Sequence, residues 1–332
     1  MKAYKGFNKD MTCRGFQFEE GKTYETDEAK MCESGFHACE DPLDCFGYYN
    51  PAESVYREVE IEDNGERQSN DTKVVGKKIT IGAEISVPLI AKAHVEWIKE
   101  QITNEKVESN TGYRSAATNT GSRSAATNTG DWSAATNTGD WSAATNTGDQ
   151  SVATNTGDWS AATNTGNRSV ATNTGNRSVA TNTGYRSVAT NTGDQSVATN
   201  TGNRSVATNT GDQSVATNTG DQSVATNTGN RSVATNTGSR SVATNTGSRS
   251  AATNTGYRSV ASVKGKDSVA VVTGYHSKVK GALGCAIVAV ERGEWNGETF
   301  PLLAIKSGIV DGKKIKPNTW YTVKNGEWVE AE

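Results

Sequence analysis

Four residues that could bind a metal ion lie close together near the N-terminus: Cys32, His37, Cys39 and Cys45. Thiolate and imidazole groups hold structural zinc with tetrahedral geometry. On a strand, His37 and Cys39 would share a face, and Cys32 or Cys45 could complete the site. The spacing C-x4-H-x-C-x5-C differs from the paired CxxC pattern of zinc knuckles, and buried thiols in a small reduced domain are the competing interpretation. We therefore predict no bound metal and keep these four residues as the weak candidates for one.

The composition argues against several classes of protein. The chain has 332 residues, with 34 Lys plus Arg and 37 Asp plus Glu, and this near-neutral balance gives no reason to expect a nucleic-acid partner. No stretch reaches the roughly 18 to 20 apolar residues of a membrane span, and the start MKAYKGFNKDM lacks the apolar core of a signal peptide. An odd count of five cysteines is typical of reduced thiols. We therefore predict a cytoplasmic protein without a cofactor, with export by a route lacking a cleavable signal as the alternative.

An internal repeat dominates the chain. Glycine recurs at every ninth position from Gly112 to Gly274, nineteen times without a slip, and ATNTG occurs sixteen times between Ala117 and Gly256. One full unit, GDQSVATNT, begins at Gly193. Such a polar repeat is also compatible with disorder. The strict period, the lack of proline and the fixed Val/Ala-Ala pair favour a folded repeat instead.

We predict a mainly β chain built around a parallel β-solenoid. Each unit supplies a strand of about six residues and a corner. In that corner Gly would adopt positive φ, and the neighbouring Asp or Asn tolerates the left-handed region. Because nine residues are too few to close a coil, two units form an 18-residue coil with two strands, giving nine coils from Gly112 to Thr273. Identical side chains would then stack about 4.8 Å apart.

Strand alternation places Ser, Ala and Asn on one face and Val, Thr and Thr on the other. In two degenerate units Val263 and Val272 replace the Asn, and Lys264 replaces the final Thr. We therefore predict that Ser, Ala and Asn point inward. The alternative would bury the Val, as is usual for an apolar residue.

The outward residues are the candidates for a binding face. Trp141 and Trp159 hold the same position in units one full coil apart and are expected to stack on one edge, with Trp132 on the opposite edge. The candidate threonines form Thr-x-Thr pairs, namely Thr154 and Thr156, Thr172 and Thr174, Thr190 and Thr192, Thr199 and Thr201, and Thr208 and Thr210.

The repeat resembles two known groups. Ser196-Val197-Ala198 and its sister triplets resemble the start of the head repeat of YadA-like trimeric autotransporter adhesins, although Thr-Asn-Thr replaces the apolar residue that follows there. The Thr-x-Thr pairs, such as Thr199 and Thr201, more weakly resemble the repeats of bacterial ice-nucleation proteins. The first resemblance implies a rigid adhesive rod and the second implies ice binding.

The chain as a whole resembles a bacterial and phage-associated family for which no activity is known. That family combines a KGF…GFHACEDPLD module, ATNTG repeats and an ALGC…ERGEW segment. Here these are Lys5 to Phe7, Gly35 to Asp44, and Ala282 to Trp295. The resemblance supports the architecture and implies no reaction.

The ends of the chain have conventional composition. Residues 1–87 are predicted to form a small α+β domain with strands at Val55 to Glu60 and Val74 to Ile85, and with a short helix capped by Asp41 before Pro42. Residues 88–108 are predicted to form a capping helix, from Pro88 to Ile102, and a linker, with Leu89 and Ile102 on two apolar sides of the helix and an irregular strand as the alternative. The helix would cap the rod formed by residues 109–281, because exposed solenoid ends are usually covered. Residues 282–332 are predicted to form a β-rich cap that ends in a hairpin at Asn325-Gly326.

The segment Gly35 to Cys39, followed by a helix ending in Tyr48-Tyr49, faintly resembles the core of ADP-ribosyltransferases. This resemblance implies a nicotinamide platform of His37 with Tyr48 or Tyr49. Its catalytic acid would be Glu58 or Glu60.

The sequence therefore leaves three candidate functions. The first is a non-enzymatic structural or binding protein whose flat Thr/Val ladders contact a protein or surface partner, or another copy in a homo-oligomer. The second is ice binding through the Thr-x-Thr arrays. The third is an ADP-ribosyltransferase-like enzyme on a solenoid stalk. We favour the first and assign no catalytic residue.

Overall fold

The structure is a computed structural model that describes residues 1–51, 53–66, 72–101 and 107–331. The chain divides into two compact units, Met1–Glu100 and Gln101–Glu332. The described part of the chain contains no helix with the length and apolar character that a membrane-spanning segment needs.

The N-terminal unit is built around an antiparallel sheet that closes on itself. Strand β6 pairs with β1 on one edge and with β7 on the other, and β5 joins β7 to β1. Val59, Ile61, Ile79 and Ile81 point into the core that results. The strands are β1 (Lys2–Asn8), β2 (Thr12–Cys13), β3 (Phe16–Gln17), β4 (Thr23–Glu25), β5 (Phe36–Cys39), β6 (Ser54–Asp63) and β7 (Lys73–Glu84).

A buried polar pair joins the helical segments of this unit. The Asp41 carboxylate accepts a hydrogen bond from the Leu43 N–H and caps a 3-10 turn at Pro42–Asp44, which continues into helix α1 (Cys45–Tyr48). The same carboxylate oxygen lies 2.7 Å from Nδ1 of His94 on helix α2 (Val87–Gln101), and both side chains are fully buried. The predicted cap and short helix are confirmed.

Helix α2 groups with the N-terminal unit up to Glu100. Ile90, Val95 and Ile98 are buried, whereas Leu89, which we expected on an apolar side, is 52% exposed. The sequence-based division treated residues 88–108 as a segment of its own, separate from the N-terminal domain. That this helix caps the rod stays a prediction. Ile102, expected on a buried side, lies outside the described residues.

The C-terminal unit is a parallel β-solenoid of about 10 turns between residues 107 and 289, which confirms the predicted fold. Successive strands alternate between two sheets, here called the even sheet and the odd sheet after their strand numbers. Each repeat strand pairs in register with the strand two repeats further along the chain, as Val197 does with Val215.

The strands span four residues rather than the expected six. The ladder continues beyond each strand, since Thr201 N–H donates to the Asn182 carbonyl. The even sheet contains β8 (Val107–Asn110), β10 (Ala125–Asn128), β12 (Ala143–Asn146), β14 (Ala161–Asn164), β16 (Val179–Asn182), β18 (Val197–Asn200), β20 (Val215–Asn218), β22 (Val233–Asn236), β24 (Ala251–Asn254), β26 (Val269–Val272) and β28 (Ala286–Arg292). The odd sheet contains β9 (Ala116–Asn119), β11 (Ala134–Asn137), β13 (Val152–Asn155), β15 (Val170–Asn173), β17 (Val188–Asn191), β19 (Val206–Asn209), β21 (Val224–Asn227), β23 (Val242–Asn245), β25 (Val260–Val263) and β27 (Lys278–Gly281).

The interior is lined by Ser, Ala and Asn, as predicted. The alanines at the invariant position of each unit, from Ala126 at every ninth residue to Ala270, are fully buried, and Val263 and Val272 take the buried Asn position in the degenerate units. Lys264, in the position of the final Thr, is exposed. A cross-section this narrow has room only for small side chains, so the core consists of stacked alanines between rows of polar residues.

The buried asparagines bind backbone groups across the interior. Asn209 Nδ2 donates to the carbonyls of Ser196 at 2.8 Å and Val215 at 3.1 Å. The serines form a second row, in which Ser196 N–H donates to Oγ of Ser214 at 3.0 Å. Polar residues are tolerated in this core because each buried amide or hydroxyl group forms hydrogen bonds with the protein in place of those it would form with water.

The corners differ from the prediction in one respect. The repeat glycines do not have positive φ; the left-handed residue is the Arg, Gln or Trp two positions later, such as Gln195 with φ 56° and Trp159 with φ 58°. Glycine is required because successive corners stack so closely. A Cβ on Gly193 would meet the Gly175 carbonyl well inside the 3.0 Å that real Cβ atoms keep.

The residue after each glycine also has a stacking role. The Asp194 carboxylate accepts a hydrogen bond from the Asp212 N–H at 2.8 Å, and Asn176 does the same for Asp194. The preference for Asp and Asn at this corner position therefore reflects bonding between turns as well as tolerance of a turn conformation.

Antiparallel strands complete both sheets at the C-terminal end, as the predicted β-rich cap requires. Strand β29 (Leu302–Ile309) pairs with β28, and β30 (Tyr321–Lys324) pairs with β27 and β31 (Glu327–Glu330). The predicted Asn-Gly turn is confirmed, with φ 51° at Asn325 and 74° at Gly326.

We predict that Gly193→Ala destabilises the solenoid by about 3 kcal/mol or more, because the added methyl group overlaps a backbone carbonyl that cannot move independently. Gly112→Ala is the matched control, since the nearest atom to its Cβ is 3.6 Å away. Thermal unfolding followed by circular dichroism measures both. Equal stability of the two variants would contradict the stacking argument.

We also predict that Asn209→Asp costs about 3 kcal/mol at pH 7, because a buried carboxylate cannot donate to the Ser196 and Val215 carbonyls. Protonation restores one donor, so the loss of unfolding free energy is smaller at pH 4 than at pH 7. Asn203→Asp, at an exposed corner where the side-chain oxygen is only an acceptor, should be nearly neutral. Chemical denaturation at the two pH values tests this, and a pH-independent deficit would count against it.

Candidate functional site

One concave site of the N-terminal unit is a pocket of about 350 Å³. It lies beside β1, β5 and α1, and its lining combines thiols, cations and aromatic rings. These are Cys13, Cys32, Cys39, Cys45, Lys5, Arg14, Lys73, His37, Phe16, Phe18, Phe36, Tyr4, Tyr48 and Tyr49, together with the small or acidic residues Gly6, Glu33, Ser34, Gly35 and Ala38.

Gly6 and Tyr49 lie against each other in the lining of the pocket. Gly6 on β1 allows the Tyr49 side chain to lie against the strand, since a Cβ there would be 2.6 Å from that of Tyr49. Burial and a hydrogen bond with the Cys13 thiol raise the pKa of Tyr49 well above its ordinary value. The Tyr49 hydroxyl therefore stays neutral at physiological pH.

The structure brings all four metal candidates to this pocket, but not into a metal site. Cys32 is exposed, His37 is half-buried, and Cys39 and Cys45 are buried. In the described part of the chain, no three His, Cys, Asp or Glu side chains are arranged to hold a metal ion. All five cysteines fall in that part, and none of them forms a disulfide.

His37 is held as a neutral imidazole. Its Nε2 accepts a hydrogen bond from the Cys32 N–H at 2.9 Å, which leaves the proton on Nδ1. Desolvation lowers the pKa of His37 below 6.5, and the positive charges of Lys5, Lys73 and Arg14 lower it further. The cations around the pocket therefore act together on its ring.

Lys5 is the most deeply buried of these cations. Its side chain points into the pocket region with only 8% of the residue exposed. Its Nζ donates to the His37 carbonyl at 2.9 Å and lies 5.5 Å from the Phe7 ring centroid and 5.9 Å from that of Phe18. In the described part of the chain, no carboxylate lies within ion-pair distance of Lys5.

The residues transferred from ADP-ribosyltransferases are only partly brought together. His37, Tyr48 and Tyr49 line the pocket. Glu58 does not, and it pairs instead with Lys2 at 2.9 Å, while Glu60 is exposed on β6 and also lies outside the pocket lining. The arrangement supplies a ring platform without the expected acid.

Sequence reasoning missed the cations of the pocket. Lys5, Arg14 and Lys73 come from three separated segments. Arg14 and Lys73 belong to no motif, and the KGF motif that contains Lys5 gave no sign of a pocket. Lys73 Nζ lies 4.0 Å from the Tyr48 ring centroid and 3.6 Å from the Cys32 sulfur. Contacts between such distant parts of a non-repeating chain leave no periodic signal.

In the solenoid, the Thr candidates of the odd sheet form the expected outward rows. The first residues of the pairs, Thr154, Thr172, Thr190 and Thr208, are partly exposed, and their partners Thr156, Thr174, Thr192 and Thr210 are exposed. Thr201 on the even sheet is also exposed. Thr199 differs, because it is buried with only 7% exposure, so it does not belong to an accessible row.

The tryptophans lie at the corners as predicted. The Trp141 and Trp159 rings stack at 4.8 Å with 4° between their planes, and the Arg177 guanidinium continues the stack 4.6 Å from Trp159. Trp132 lies at the opposite corner and is 51% exposed. Sequence reasoning missed a second stacked pair, Tyr257 and Tyr275, although these residues are also two repeats apart. Their ring centroids are 5.7 Å apart.

We predict that Lys73→Met raises the pKa of His37 toward its ordinary value, because a like charge is removed. Lys92→Met, on the exposed side of α2, should leave the pKa of His37 unchanged. NMR titration resolves this easily, since the chain has only three histidines.

The sign of the pH effect on stability follows from the same shift. The pKa of His37 is lower in the folded state, so protonation opposes folding, and the unit loses stability as pH falls below about 6.5. Lys73→Met should weaken this loss. An unaltered His37 midpoint in that variant would show that the charges do not act on the ring.

The comparisons with known proteins concern the N-terminal unit alone. Residues 1–93 match the family model described as a domain of unknown function, DUF7666. No curated protein and no solved structure matches the chain. The N-terminal segment is therefore similar to a family that carries no assigned activity.

Proposed function

We propose that the protein is a structural repeat protein whose odd sheet associates laterally with the same sheet of a second copy. The β-solenoid architecture is consistent with a structural or binding role. The observation that carries the proposal is the uniform outer surface of the odd sheet between β11 and β23, here called the ladder face.

The ladder face has three rows over seven successive strands. The first row is Val, or Ala at the start, and the other two rows are Thr. Val152 is 39% exposed, and the final threonines from Thr138 to Thr228 are exposed. No charged residue interrupts the rows. Methyl groups of Val and Thr therefore cover much of this surface, beside the Thr hydroxyl groups.

A second copy offers the best geometric match for such a surface. Neighbouring strands lie in register about 4.8 Å apart, so each row is a series of side chains separated by grooves with that period. Only a partner with the same repeat can place a methyl group in every groove along the whole length. Dry interfaces between sheets use this kind of matching, and a two-fold axis would close the assembly at two copies.

The rigidity of the solenoid supports the same function. Rows of Asn and Ser hydrogen bonds link each turn to the next. The ladder face is therefore presented already ordered, and association costs little conformational entropy.

Ice binding and ADP-ribosyltransferase chemistry stay predictions. The regular spacing of the Thr rows is compatible with ice binding, although Val occupies one of the three rows of the ladder face. Glu58 and Glu60 lie outside the pocket lining, which argues against ADP-ribosyltransferase chemistry. The phage association and the cytoplasmic location also stay predictions.

We expect the wild-type protein to approach twice its chain mass of 35.1 kDa as concentration rises, as measured by multi-angle light scattering. Thr156→Lys with Thr192→Lys places two charges on the ladder face and should weaken association at least about tenfold, because an apolar interface does not accommodate unpaired charges.

Ser239→Lys with Ser248→Lys is the matched control, since it adds the same charge at two corners. Lys266 already occupies the equivalent position one turn beyond Ser248. This variant should associate like the wild type. A wild-type mass of 35.1 kDa at every concentration would contradict lateral association.

A further inference from the structure

The lining of the N-terminal pocket carries more positive than negative charge. We propose that it binds a small anion carrying a planar ring, with the anionic group near Lys5 and Arg14 and the ring against Phe16 and Tyr48. Nucleotides and aromatic carboxylates share this chemistry. The site is separate from the ladder face and does not depend on the function proposed for it.

The charge balance is the first argument. Three residues of the pocket lining are Lys or Arg, and the only acid in that lining is Glu33. Its carboxylate already pairs with Lys30 at 2.6 Å. Burial lowers the pKa of His37, which lines the pocket, and the positive charges of Lys5, Lys73 and Arg14 lower it further. An anion placed there would be attracted by all three.

The burial of Lys5 is the second argument. An ammonium group with 8% of its residue exposed has lost most of its water. In the described part of the chain its partners are one neutral carbonyl and two ring faces. Burying a charge without a counter-ion is costly, so proteins usually pair it. A bound anion would provide the missing partner.

The aromatic rings are the third argument. Phe16 and Tyr48 line the pocket, and they are 49% and 47% exposed. Phe16 also packs edge-on against Phe18 at 4.8 Å, which fixes its orientation. Exposed rings beside cations suit a ligand with both a planar apolar part and a charge.

The volume limits the size of the ligand. A pocket of about 350 Å³ is at the small end of ligand sites. It suits a single ring system with one anionic group and excludes a long polymer.

Isothermal titration calorimetry on the full chain tests the proposal with four probes. Adenosine monophosphate and indole-3-acetate represent the two sources of the ligand, and adenosine and inorganic phosphate each lack one half of it. We expect at least one of the first two to bind with a Kd below about 1 mM and at least tenfold more tightly than either half. The tighter of the two identifies the source.

Substitutions then locate the site. Lys5→Met and Arg14→Gln should each weaken binding tenfold or more, and Phe16→Ala should weaken it too. Lys22→Met, which removes an exposed lysine paired with Glu19, should leave the Kd unchanged. Arg14 is exposed, so its variant tests the site even if Lys5→Met does not fold.

Three outcomes would overturn the proposal. The first is a Kd above about 10 mM for both ring-bearing anions. The second is binding of inorganic phosphate as tight as that of adenosine monophosphate with no binding of indole-3-acetate. The third is an affinity that Arg14→Gln leaves unaltered.

Discussion

The spacing between stacked turns of the solenoid constrains almost every residue of the repeat. Consecutive corners approach so closely that no Cβ fits between a glycine and the carbonyl of the corresponding glycine one turn earlier. The two sheets are correspondingly close, and in the regular repeats Ala, Ser and Asn line the space between them. Residues with larger side chains are therefore confined to the outer face and to the corners. The repetition of the sequence reflects one steric condition met at every turn.

Much of the solenoid could be predicted because its contacts are periodic. The spacing of Trp141 and Trp159 by two repeats directly implied their stacking, and Val263 and Lys264 indicated which face is buried. The backbone at the corner was predicted wrongly, since turn preferences assign positive φ to glycine while the structure assigns it to Gln195 and its equivalents. A steric requirement between turns has no counterpart in the local rules for an isolated turn.

The N-terminal pocket could not be predicted in the same way. Lys5 meets His37, and His94 meets Asp41, across 32 and 53 residues of non-repeating chain. The Cys and His residues considered as metal ligands line the pocket without being arranged to hold a metal ion, and the cations that give the pocket its charge were overlooked. The two units thus differ in their chemistry. The ladder face of the solenoid is uncharged and repetitive, whereas the pocket brings positive charge, thiols and aromatic rings together in a single small volume.

The alternation of strands between two sheets limits how the gene can change in length. One repeat is half a turn, so its loss between Trp141 and Trp159 would move the second ring to the opposite corner and separate the stacked pair. Every later strand would change sheets, and the continuity of both corner ladders would be broken at the deletion. A loss or gain of two repeats keeps every later strand in its own sheet and every later corner residue on its own edge. Variation in repeat number during evolution should therefore occur in steps of a whole turn, although the sequence unit that is duplicated is only half of one.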